Sequence, residues 1–297
     1  MQNVDDPVPA PTAAVPLRAT LRMIKFSHTL FALPFALLSA VLAARGIPRS
    51  GTLVWILLAM VGARSAAMAF NRIVDRDVDA LNPRTAGREI PSGVISVRWA
   101  SVFCLLSGAL FVFSASRLNR LCLVLAPVTL ALVLGYSLTK RFTALSHLVL
   151  GLSLAIAPVG AWLAVRGTFA WLPILLGLAV LFWVAGFDIL YSCQDHEFDC
   201  RNGLYSVPRF FGIRNALWIA RGLHLAMIAL LVVLALLFHL GIIAGVGIAI
   251  VALLLAYEHS LVSAHDLSNL NAAFFTTNGV VSVVFFLFVA ADLLLRR

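Results

Sequence analysis

Charge is scarce in this sequence. Asp, Glu, Lys and Arg together make up 12% of its 297 residues, roughly half the share of an ordinary soluble domain. With 62% hydrophobic residues and a mean hydropathy of +1.00, that deficit excludes a soluble globular fold and marks a polytopic membrane protein. Cysteine is rare too: there are four, and none forms a CxxC pair, which argues against a zinc or redox centre. Cys104 and Cys122 fall in apolar stretches, and Cys193 and Cys200 flank a polar one, so all four read as small polarisable packing residues. The net charge of +9 has no soluble domain to cluster on, which excludes nucleic acid as a partner; the basic residues lie in short loops. Residues 1–17 lack the basic start and cleavage pattern of a signal peptide, and with Pro7, Pro9, Pro11, Pro16, Asp5 and Asp6 they read as a disordered leader.

What is present is a series of apolar runs of about 20 residues, the length that a hydrocarbon core of about 30 Å demands. Nine are expected, near 26–44, 51–74, 97–115, 119–138, 144–165, 171–192, 215–237, 239–257 and 271–294. Residues 18–297 therefore form one all-α transmembrane domain, a bundle of about nine helices. Ahead of it, Leu17 to His28 is amphipathic, with Arg18, Arg22 and Lys25 on one stripe, and is expected to lie on the membrane surface. With the N-terminus inside, fourteen Lys and Arg residues fall on the cytoplasmic side and seven on the other. That asymmetry orients the chain.

Two polar stretches interrupt this pattern on the same, cytoplasmic side. The first, FNRIVDRDVDALNPRTAGREIPSG (70–93), places Asn71, Asp75 and Asp79 four residues apart, on one helical face. Carboxylates one turn apart repel, and the C-terminal end of a helix is already negative, so the arrangement calls for a cation. Mg²⁺ suits it, because this ion takes carboxylate oxygens and shares its shell with phosphates. The second stretch, DILYSCQDHEFDCRNGLYSVPRFFG (188–212), repeats the step at Asp195 and Asp199, with Asp188 seven residues earlier. The expected metal ligands are thus Asp75, Asp79, Asp195 and Asp199, with a diphosphate bridged between the two clusters.

Around them stand further candidates. Arg64 lies two turns before Asn71 on its face. A charge at that depth must point into the bundle, toward a substrate anion or a neighbouring acid. Asp188 is embedded in an apolar span, and Tyr191 lies one turn before Asp195. Arg72, Arg76, Arg84 and Arg88 read mainly as topological charges, but one or two of them, Arg72 foremost, are candidate phosphate contacts together with Lys140 and Arg141. The loop 82–93, with Pro83, Gly87, Pro91 and Gly93, forms a turn-rich cap that would exclude water. No histidine is given a role.

With NxxxDxxxD at Asn71-Asp75-Asp79 and DxxxD at Asp195-Asp199 preceded by Tyr191, the chain resembles the UbiA superfamily of intramembrane prenyltransferases. The likeness runs over nearly the whole chain after the leader. IKFSHTLFALPFAL (24–37), AMAFNRIVDRDVDALNPRT and QDHEFDCRNGLYSVPRFFG resemble a bacterial branch acting on 4-hydroxybenzoate. A related enzyme prenylates an aromatic acid in the futalosine route to menaquinone. Gln194 and Glu197 depart from many members. The resemblance implies a helical bundle around a central cavity in the bacterial inner membrane. There, a polyprenyl diphosphate held through Mg²⁺ would donate its prenyl group to an aromatic acid in quinone biosynthesis. Asp75, Asp195, Asp188 and Tyr191 would be catalytic, and Asn71, Arg64, Arg72, Lys140 and Arg141 would bind substrate. An ion-coupled transporter, the rival from another class, would hold its charges near the bilayer midplane on interrupted helices. Here the acids gather at helix ends beside basic loops.

Overall fold

A computed structural model describes residues 17–25, 32–268, 270 and 277–295. Residues 1–16 of the leader, the start of the first expected span, residues 271–276 of the last, and Arg296 and Arg297 lie outside the described residues. Twelve described α-helices bear on the argument. Helix α1 (Leu17–Met23) is followed by α2 (Leu33–Ala44), α3 (Ser50–Val74), the short α4 (Arg76–Leu81), α5 (Val97–Leu118) and α6 (Arg120–Thr139). Then come α7 (Ser146–Arg166), α8 (Trp171–Ser192), the short α9 (His196–Asn202), α10 (Val207–Leu237) and α11 (Ile242–Ser260). The last, α12, spans Asn278–Leu295.

Eight of the helices are long and apolar enough to cross a membrane, and α2, also apolar, is shorter at 12 residues. The nine expected spans therefore correspond to nine observed apolar helices. Where the residues are described, their boundaries agree within a few residues except at the start of α10, which begins at Val207 rather than near 215; the expected starts at 26 and 271 lie outside the described residues, and α2 and α12 begin at Leu33 and Asn278. Gly212, at φ 75°, bends the first turns of α10 away from the transmembrane part, a conformation that glycine adopts without strain.

The bundle closes where small residues let backbones meet, as expected where lipid offers no hydrophobic drive between helices. A Cβ added to Gly151 on α7 would lie 2.4 Å from the Leu181 carbonyl oxygen of α8, and one on Gly62 of α3 would lie 2.8 Å from the Phe111 amide of α5. Gly151→Ala must push α7 from α8 and is expected to cost about 1–3 kcal/mol, read as a fall in melting temperature of the detergent-solubilised protein. An unchanged melting temperature would mean that the helices are not so close.

Behind these contacts, Phe35, Trp183, Phe187 and Phe285 form an aromatic core with ring centroids 5.1–5.8 Å apart. The Trp183 indole donates to Asn278 Oδ1 at 2.8 Å, and the Asn278 amide donates to Glu258 Oε1 at 2.8 Å. That chain of bonds ties α8, α12 and α11 together. The tight packing of α7 on α8 and of α3 on α5 fixes where α3, α6 and α8 end, and those ends build the site.

Candidate functional site

Both acidic stretches begin at a break between two helices. Asp75 separates α3 from α4 with φ −87°, ψ 2°, and Asp195 ends the 3₁₀ turn between α8 and α9 with φ −97°, ψ 4°. At the first break the helical register survives: the Asp75 amide donates to the Asn71 carbonyl at 2.9 Å, and the Asp79 amide to the Asp75 carbonyl at 2.7 Å. So the four-residue face predicted from the sequence persists across a break that was not predicted. The second aspartate of each pair, Asp79 or Asp199, is buried on the short helix that follows.

The two breaks face one polar cavity of about 250 Å³, lined by Asp75, Asp79, Asp195 and Asp199 together with Asn71, Arg84, Arg88, Lys140, Asp188 and Tyr191. Each cluster is engaged by cations. Lys140 Nζ lies 3.0 Å from Asp75 Oδ2 and Arg141 3.6 Å from Asp75 Oδ1. The Asn71 amide also donates to Asp75 Oδ2, at 2.9 Å. Arg88 donates to both oxygens of Asp79 at 2.7 Å. Arg84 reaches across from the loop of the first motif to the second, donating to Asp195 at 2.9 and 2.6 Å and to the Tyr191 hydroxyl at 3.3 Å. Asn82 adds a bond to Asp195 at 3.2 Å. In return, the Tyr205 amide behind the second motif donates to the Lys140 carbonyl at 2.7 Å. Burial alone would lower the Arg84 guanidinium, but the hydrogen bonds and charge of Asp195 overcome it and raise it above its ordinary value.

A second, apolar cavity of about 610 Å³ opens below. Asn71, Arg88, Tyr136, Leu150, Asp188 and Tyr191 line both cavities, so the apolar chamber continues the polar one. It reaches Ile56 on α3, Cys122 on α6 and Gly160 on α7, each 13 or more residues from the polar end of its helix and so about 20 Å deep at 1.5 Å per residue. Arg64 lines this chamber, and its buried Nε has no hydrogen-bond partner among the described residues.

The remaining candidates are placed less centrally. Arg72 is buried and donates to the Met23 carbonyl at 3.3 Å, which seats α1 against α3 at the rim of the apolar chamber. Arg76 pairs with exposed Asp77 at the surface. Arg141 also donates to the Val74 carbonyl at 2.6 Å, capping the end of α3. Lys25 lines the apolar chamber at its mouth; burial and the nearby Arg72, Arg88 and Arg84 push its ammonium down to about 8. The sequence reading passed over His147, whose Nδ1 lies 2.7 Å from Asp188 Oδ2. A signal for it existed: an acid embedded in a span needs a partner.

The donor set fits magnesium. It consists of carboxylate oxygens, and Asp75 Oδ1 is buried without a hydrogen bond. Among the described residues no three Asp, Glu, His or Cys side chains converge closely enough to hold an ion alone. Mg²⁺ is commonly held by one or two carboxylates plus substrate phosphates, so an incomplete protein shell is in keeping with it.

The UbiA prenyltransferase family model matches residues 32–288. The chain belongs to the UbiA prenyltransferase family. Among curated relatives, the 4-hydroxybenzoate octaprenyltransferase of Nitrosospira multiformis is 31% identical over 82% of this chain and 84% of its own length. That of Aliivibrio fischeri is 32% identical over 82% and 85%. A UbiA homologue from Aeropyrum pernix superposes with a TM-score of 0.82 at 34% identity, covering 89% of this chain and 98% of that one. A UbiA homologue from Archaeoglobus fulgidus, solved with DMAPP and Mg²⁺, shares the fold with a TM-score of 0.74 at 23% identity, covering 93% and 99%.

Proposed function

We propose that this chain is an aromatic prenyltransferase that transfers a polyprenyl group from a polyprenyl diphosphate to an aromatic acid of the 4-hydroxybenzoate type, with Mg²⁺, in bacterial quinone biosynthesis. The observation that carries this reading is the junction of a polar, charge-lined cavity with an apolar chamber about 20 Å deep. A diphosphate and its hydrocarbon tail need just that pair of environments, since apolar burial favours the tail by about 0.8 kcal/mol per CH₂. The curated relatives' names and the prenyl diphosphate and Mg²⁺ of the Archaeoglobus structure support donor, acceptor and metal. The basic loops around the site support a cytoplasmic mouth in the inner membrane.

The chain's own residues divide the work. Asp75, Asp79, Asp195 and Asp199 would hold the metal, which when bound supplies Lewis-acid neutralisation of the departing diphosphate. Arg84, Arg88, Lys140 and Arg141, which now pair with those aspartates, are positioned to contact phosphate oxygens as charge-assisted donors. Tyr191 presents its ring and hydroxyl beside Arg84, where an aromatic face stabilises the developing allylic cation. Asp188, at the junction of the cavities, accepts the proton lost from the acceptor ring.

Arg64 supports an acceptor that is an acid. It lies seven residues, about 10 Å, below Asn71, deeper than the phosphate-binding groups, and its buried Nε asks for an anion. Arg64→Met is expected to raise KM for 4-hydroxybenzoate roughly 10- to 100-fold, the worth of a hydrogen bond to a charged group, and to leave KM for the donor unchanged. A change confined to the donor would assign Arg64 to the diphosphate instead.

The reading as a whole is tested by incubating the purified protein with one radiolabelled polyprenyl diphosphate and a panel of aromatic acids. A labelled prenyl-hydroxybenzoate is expected, whereas selective use of another aromatic acid would move the chain to the futalosine-type acceptor. Release of prenyl alcohol with every acid present would overturn the reading.

A further inference from the structure

His147 sits at the start of α7, buried, in neither of the acidic stretches. Its two ring nitrogens have separate partners. The backbone N–H of Val207 donates to Nε2 at 3.3 Å, and Nδ1 lies 2.7 Å from Asp188 Oδ2. Because an amide can only donate, Nε2 must accept, so the ring hydrogen is on Nδ1 and is given to Asp188. Val207 can spare its N–H because it is the first residue of α10, where amides lack an intrahelical acceptor. Asp188 keeps part of its surface open, at 26% side-chain exposure against 5% for His147, and lines both cavities.

We infer that His147 is a positioning residue for prenyl transfer: it clamps one oxygen of Asp188 so that the other faces the junction where the acceptor ring must lose its proton. This rests on the aromatic prenyl transfer proposed above. In that step the donor's C1–O bond breaks and its electron pair leaves with the diphosphate. The ring carbon ortho to the phenol forms the new C–C bond, and the proton on that carbon passes to the free oxygen of Asp188, restoring the aromatic ring. His147 takes no proton in this sequence, since its Nε2 is already occupied by the Val207 amide. It fixes direction and does not relay.

The test uses the full-length protein in detergent, a polyprenyl diphosphate, and 4-hydroxybenzoate carrying hydrogen or deuterium at the positions ortho to the hydroxyl. His147→Leu is expected to lower kcat roughly tenfold or more, a fraction of what a well-placed base contributes, with KM for the donor unchanged. The ratio of kcat for hydrogen and deuterium should rise above the wild-type value, because proton loss becomes slower relative to C–C bond formation. His147→Gln, whose amide can still donate to Asp188, should restore both kcat and the ratio. Should the Leu variant fail to fold, Val207→Pro carries the test. It removes the amide donor while keeping an apolar side chain of similar size in the buried cluster, at a first helical position preceded by the extended Ser206 (φ −147°, ψ 157°), where proline is tolerated. It should produce the same change in isotope ratio through a loosened imidazole. A lowered kcat with an unaltered isotope ratio, or wild-type kinetics in the Leu or Pro variant, would overturn the inference. Failure of wild-type protein to prenylate any aromatic acid would instead overturn the reading on which it rests.

Discussion

Asp75→Asn and Asp195→Asn are each expected to abolish prenyl transfer, by roughly a thousandfold or more, while the protein stays folded in detergent. The size follows from what each carboxylate does. Removing one preorganised electrostatic group from a site where charge develops typically costs about 10²–10³ in rate, and here the lost charge would also weaken metal binding. Asp75 is almost wholly buried and held by Lys140 and Asn71; Asp195 is gripped by Arg84 and Asn82 from the opposite motif. Asparagine keeps the shape and part of the hydrogen bonding but loses the charge, so an effect on activity without an effect on melting temperature isolates the electrostatic role. Appreciable activity in both variants would reject the metal-site reading.

Chelation should be equally severe. Excess EDTA is expected to bring turnover to background, and added Mg²⁺ to restore it in full. In the structure the aspartates are balanced by Arg84, Arg88, Lys140 and Arg141. Those same cations have no way to neutralise a diphosphate while they remain paired with carboxylates. A divalent ion held by Asp75, Asp79, Asp195 and Asp199 would resolve the conflict, leaving the basic groups free for the phosphates. Transfer at the normal rate in EDTA would show that arginine and lysine suffice alone.

Much of this was legible in the sequence because the bilayer imposes a strong length rule. Nine apolar runs matched nine helices, and the two aspartate steps stood out as charges that lipid does not tolerate without cause. The helix breaks at Asp75 and Asp195 were not legible: the preserved hydrogen bonds from Asp75 to Asn71 and from Asp79 to Asp75 leave the local spacing helical, so nothing in the pattern betrays a bend. The pairing of Arg84 with Asp195, 111 residues away, is a tertiary contact with no local trace, which is why Arg84 read as a topological charge. Arg72 shows the converse. A candidate phosphate contact by charge alone, it donates through Nε to the Met23 carbonyl, a tertiary partner with no local trace. The early start of α10 depends on Gly212 at φ 75°, a turn that lies inside a polar stretch and so carries no hydropathy signal. His147 was missed because a single histidine has no period; its meaning comes from Asp188 and Val207, which only the fold brings to it.

The claim at the centre is that the two aspartate clusters act as one site on a shared diphosphate. Its most direct test is equilibrium binding of a radiolabelled, unreactive prenyl thiolodiphosphate to the purified full-length protein, with and without Mg²⁺. Saturable binding that requires the ion and is lost in Asp75→Asn and in Asp195→Asn alike is the predicted result; undiminished binding in either variant, or binding indifferent to the metal, would contradict it.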